Sequence, residues 1–99
     1  MEDVVYYNEL YDLYKELLTD KQRKYFEDYY FNNLSFSEMA EDYDMSRNAA
    51  FKQIHIVIEK LIDYENKLHL KEKRDTIIEL LDSDKGVSDE IKKRIDELL

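Results

Sequence analysis

The sequence has no cysteine, no proline and no tryptophan, and a single glycine in 99 residues. Without cysteine there is no disulfide, no thiolate nucleophile and no cysteine-ligated zinc. Such a chain suits a reducing compartment. One glycine cannot furnish a phosphate-cradling loop or a dinucleotide fingerprint, each of which needs several. Scarcity of both glycine and proline also argues against a turn-rich sandwich or barrel. Positive charge is short as well: 15 lysines and arginines face 24 aspartates and glutamates, a net charge of −9. Such a chain is repelled on average by nucleic acid and by anionic membranes, so nucleic-acid binding would need a local basic face. No apolar run approaches the roughly 20 residues of a membrane span. The opening, MEDVVYYNEL, lacks the basic-then-apolar layout of a secretory signal. The expectation is a soluble cytoplasmic protein.

What is present is a hydrophobic fraction of 43%, enough for one core and too little chain for two. The sequence therefore predicts one domain over 1–99, all-α, with five or six helices. Tyr6, Leu10, Leu13 and Leu17, shadowed by Tyr7, Tyr11, Tyr14 and Leu18, make a wide apolar face on a first helix from Val4 to Leu18. Thr19–Gln22 and Ser35–Glu38 read as capping boxes opening a second and a third helix, with Asn32-Asn33 as the stop between them. Asp44-Met45 interrupts, and Ser46 caps a long central helix. Ala50, Ile54, Val57, Leu61, Tyr64 and Leu68 form its seam, widened by Phe51, His55, Ile58 and Ile62. The pattern loses phase at His69–Lys73, resumes at Ile77, Ile78 and Leu81, and ends with a helix capped by Ser88. So much apolar surface on so small a domain favours a homodimer, through the first helix or the C-terminal half.

The segment LSFSEMAEDYDMSRNAAFKQI, Leu34 to Ile54, sets a short capped helix, a tight turn and a longer capped helix in a row. This is the layout of a helix-turn-helix, here about residues 35–62, with a C-terminal helical extension. Ala40 supplies the small side chain that a close crossing needs, and Met45 plugs the turn. Ser46 then caps the second helix and places Arg47, Asn48, Phe51 and Lys52 near its groove-facing start, and Arg and Asn are residue types that read guanine and adenine edges. Together with LTDKQRKYFEDYY, Leu18 to Tyr30, this segment resembles the YlxM-type helix-turn-helix proteins of Firmicutes and mollicutes. Their helix-turn-helix is similar to region 4 of bacterial sigma factors, and the description winged-helix-like goes with it. The resemblance implies a small all-α regulator encoded beside the genes of the signal recognition particle GTPase. Ala49 and Phe51 depart from the sigma pattern, which places longer polar side chains there to touch DNA.

Charge divides the motif. Residues 27–44 hold six acids and no base, whereas 45–61 hold three bases and one acid. Lys21, Arg23 and Lys24 make a second basic cluster, the candidate phosphate contacts, against Asp20 alone. Two readings follow. One is an interaction protein acting on the signal recognition particle through its protein or its RNA. The other is a DNA-binding transcriptional regulator reading a duplex with the helix from Arg47. The sequence shows no nucleophile–base arrangement, so no enzyme and no cofactor are expected. His55 lies on an apolar stripe and reads as a core-edge residue. His69 with Glu65 is too few ligands for a metal. Asp82-x-Asp84-x-Gly86 fails as a calcium loop because Val87 and Lys93 occupy the positions that need Gly and Glu.

Overall fold

The computed structural model describes residues 3–83 together with 93, 96 and 97. The chain forms α1 (Val4–Tyr14), a 3-10 turn (Lys15–Leu17), α2 (Asp20–Tyr30), α3 (Phe36–Asp42), α4 (Arg47–Leu68) and α5 (Leu70–Ser83). It is a small all-α domain, as expected, and the described residues contain no strand that could form a wing. The last expected helix, from Ser88, falls mostly outside the described residues, of which Lys93, Asp96 and Glu97 are helical.

The starts of α1, α2, α3 and α4 are each set by a short polar side chain. Asp3 accepts from the Tyr6 N–H at 3.1 Å, and Ser46 Oγ from the Ala49 N–H at 3.0 Å. Thr19 with Gln22 and Ser35 with Glu38 form complete reciprocal capping boxes. Such caps contribute about 1 kcal/mol apiece. Three helix exits use left-handed residues other than glycine: Asn33 (φ 56°), Asp44 (φ 51°) and His69 (φ 56°). Asn and Asp tolerate this region through local hydrogen bonds. His69 is also among the residue types enriched there, and its ring Nδ1 lies 2.9 Å from the Glu72 carboxylate. The first helix stops at Tyr14 rather than at the expected Leu18. The chain tightens into the 3-10 turn and Leu18 becomes extended, so Leu18 is buried while Leu17 is exposed.

The core has two parts threaded by α4. Leu10, Tyr11, Tyr14, Leu18, Phe26, Val57 and Leu61 join α1, α2 and the second half of α4. The Tyr11 and Phe26 rings stack there with centroids 4.3 Å apart. Tyr25, Met39, Ala50, Ile54 and Ile58 join α2, α3 and the first half of α4. Two expectations about side chains need correction. Ala40 is only half-buried, and the fully buried small residue of the α3–α4 crossing is Ala50, in the same cluster as Met39. The α4 seam runs from Leu61 to Glu65, not to Tyr64 and Leu68: Tyr64 is half-buried, and Leu68 and His55 are exposed.

Glu65 is buried because α5 begins on top of it. Its carboxylate accepts the Lys71 and Glu72 N–H groups at 3.0 and 3.1 Å, and the Tyr14 hydroxyl donates to it at 2.6 Å. The Leu70 N–H in turn donates to the Tyr14 hydroxyl oxygen at 3.0 Å. Three orphan donors of the first turn of α5 are thereby satisfied. Burial raises the Glu65 carboxyl pKa, but the hydrogen bonds from Tyr14, Lys71 and Glu72 outweigh it and hold the group below its ordinary value. Burial and the bond to Glu65 push the Tyr14 hydroxyl up to about 12.

Candidate nucleic-acid interface

The start of α4 is presented to solvent. Arg47, Asn48 and Lys52 are exposed, and among the described residues neither cation has an ion-pair partner. Ser46 is also exposed; its oxygen accepts the capping N–H, which leaves its proton to donate outward. Phe36, Arg47, Asn48 and Phe51 line a cleft of about 360 Å³. This gathers Ser46, Arg47, Asn48 and Lys52 at one end of the molecule.

Lys21, Arg23 and Lys24 lie elsewhere. The Lys60 ammonium donates to Gln22 Oε1 at 3.4 Å, which ties the first turn of α2 to the middle of α4. The last turn of α2 sits at the other end, where Tyr29 stacks on Phe36 and Phe36 meets Phe51 edge-on. The two helices therefore run antiparallel, and Gln22, beside Lys21 and Arg23, meets α4 roughly 20 Å beyond Arg47 and roughly 12 Å beyond Lys52 at 1.5 Å per residue. Arg23 is committed to Asp20 and Glu16. Lys24 lies 5.6 Å over the Tyr43 ring, and Lys21 is exposed.

Acidic side chains fill the neighbouring face. Glu38, Glu41, Asp42 and Asp44, on α3 and in the turn after it, are all exposed. Glu27 and Asp28 are occupied differently, accepting the hydroxyls of Tyr11 and Tyr43. Burial first, and those acidic acceptors second, raise both tyrosine pKa values well above the ordinary phenol range. Among the described residues no group of His, Asp and Glu could hold a metal ion, and no helix is long and apolar enough to cross a membrane.

One feature of this end was not legible as a site. Tyr29, Phe36, Phe51 and His55 form a continuous run of ring contacts, with centroids 4.8, 5.4 and 4.4 Å apart. Phe51, which the sequence places both on the flanking apolar stripe and near the groove-facing start of α4, is 46% exposed, so the second placement holds. The available signal was its spacing: Arg47, Phe51 and His55 share one helical face, and a buried face would not begin with an arginine.

A unit of this kind, a capped α3, a tight turn and a longer capped α4 with exposed polar residues at its start, defines a helix-turn-helix protein. The chain belongs to the UPF0122 family, described as "Putative helix-turn-helix protein, YlxM / p13 like", whose model matches residues 1–98. It is 43% identical over 81 residues to a UPF0122 protein of Mycoplasma mycoides, covering 82% of this chain and 72% of that one. A UPF0122 protein of Shouchella clausii is 46% identical over 74 residues, covering 75% and 68%. One of Bacillus mycoides is 38% identical over 96 residues, covering 90% and 87%.

Proposed function

We propose that this helix-turn-helix protein is a regulatory binding protein of the signal recognition particle pathway, acting on the particle's protein and RNA. The observation that carries this reading is the split polarity of the α3–α4 end. In the usual docking of a helix-turn-helix the first helix crosses the DNA backbone. Here that helix and its turn expose Glu38, Glu41, Asp42 and Asp44, which repel phosphate. Beside them Arg47 and Lys52 attract it. A surface with both signs suits a ribonucleoprotein, where a basic protein face meets the acids and an RNA backbone meets the cations. The pathway comes from the family resemblance. The chain acts in this reading as a cytoplasmic homodimer.

The experiment mixes the purified protein with the signal recognition particle GTPase and its RNA, and separately with duplex DNA from its own promoter at two salt concentrations. The expected result is binding to the particle with a changed rate of GTP hydrolysis, and weak, strongly salt-dependent duplex binding. Duplex binding at physiological salt with no effect on the particle would establish the second reading, a DNA-binding regulator. That reading is favoured by the capped α4 start, with Arg47, Asn48 and Lys52 facing outward. Under it Arg47→Ala costs about 1–3 kcal/mol of duplex affinity through a lost bidentate base contact.

A further inference from the structure

Phe51 poses a specific problem. A lone exposed apolar side chain is ordinary, but this ring is not alone. It meets Phe36 edge-on at an interplanar angle of 85°, and Phe36 lies flat on Tyr29 at 4°. The Phe51 ring is thus backed by an aromatic column anchored in α2 and α3, while nearly half of the residue remains open to solvent. Phe51 lines the cleft together with Phe36, Arg47 and Asn48, and the His55 ring lies tilted beside it with centroids 4.4 Å apart. Lys52 is exposed on the same turn, and the acids of α3 lie before Arg47 in the chain, across the turn. A rigid ring, an amide with donor and acceptor, and two cations without ion-pair partners among the described residues make a particular set. It matches a flat, hydrogen-bonding aromatic ligand joined to phosphates.

We propose that the first turns of α4 form a stacking site for an unpaired base of single-stranded RNA, resting on the RNA arm of the function proposed above. The base lies against Phe51 in the cleft, Asn48 meets its hydrogen-bonding edge, and Arg47 and Lys52 hold the flanking phosphates. Unpaired RNA bases are splayed out and stack on aromatic side chains, whereas a duplex keeps its base faces covered. Ala49 and Phe51, which shorten the polar reach needed in a DNA groove, serve this mode because a base brought to the helix requires no long side chain. Charge complementarity favours nucleic acid over an apolar protein segment, which would leave Arg47 facing it without a counter-charge.

The test uses a single-stranded RNA hexamer with 2-aminopurine at its centre, a fully paired RNA hairpin and the DNA version of the hexamer. The hexamer is expected to bind with quenched 2-aminopurine fluorescence, more tightly than the hairpin. Phe51→Leu should weaken it about 5- to 150-fold, the loss that removal of one base–aromatic stack produces. Phe51→Tyr should retain binding, and Lys52→Gln should weaken it while flattening its salt dependence. The fluorescence of the unmodified protein's complex stands even if Phe51→Leu fails to fold. Binding without quenching, or unchanged affinity in a folded Phe51→Leu variant, overturns the stacking site. So does tighter binding of the DNA hexamer. If no RNA binds but the particle's GTPase does, the stacking site fails and the function proposed above survives through its protein arm. If neither binds, both fail.

Discussion

At the scale of single residues, Glu65 is the side chain on which the start of α5 depends. It is the buried charged residue among those described, and it takes hydrogen bonds from Tyr14, Lys71 and Glu72. Replacement by Gln keeps the volume but turns an amide N–H₂ toward donors, so Glu65→Gln should cost about 1–3 kcal/mol at neutral pH. The acid dependence has a definite sign. The folded-state pKa of Glu65 is lowered, so its stabilisation is full above the unfolded carboxyl pKa of about 4.3 and is lost as pH falls through the folded value. Urea unfolding of both proteins at pH 7 and under acid conditions should show the gap between them closing as pH falls. A gap that stays constant would mean that Glu65 is not ionised in the fold. Glu65 was hard to find from sequence. It falls one position off an apolar seam that continues plausibly to Tyr64 and Leu68, and its partners are backbone groups beyond a break, which no spacing rule encodes.

At the scale of elements, α4 passes through both halves of the core, and Ile54 is the point where α2 and α3 close on it. Ile54 is 2% exposed, so Ile54→Ala leaves a cavity that the neighbouring helices cannot fill without moving. A loss of about 2–5 kcal/mol is expected, measured by thermal or urea unfolding. A melting temperature unchanged by the substitution would mean the α4 face is misassigned. The helices themselves were legible because their starts are chemical: Thr19, Ser35 and Ser46 cap where the residue pattern places them. Their exits were legible where Asn33 and Asp44 take left-handed backbone, and where phase was lost at His69. What failed was the choice between adjacent apolar stripes. Ala40 against Ala50, and Phe51 buried against Phe51 open, depend on the crossing of α3 over α4, and that angle is a tertiary quantity. The cations of the site and their two clusters could be named from sequence, but the distance between the clusters could not. That separation follows from α2 and α4 running antiparallel.

At the scale of the whole molecule, shape bears on assembly. The radius of gyration is 16.6 Å and the long dimension is 55 Å against 26 and 25 Å. A compact chain of about 100 residues has a radius of gyration near 13 Å. Along α5, His69, Glu72, Lys73, Thr76 and Ile77 line a cleft. Pairing through the C-terminal half, one of the two routes expected from the sequence, would leave the start of α4 free. Sedimentation equilibrium at micromolar concentration should therefore give a mass that rises with concentration toward twice that of the chain. Ile77→Glu, which sets a charge in the cleft, should hold the protein at the monomer mass while leaving its helical circular dichroism unchanged. A single monomeric species at every concentration, with or without the substitution, would show that the extended shape belongs to the isolated chain.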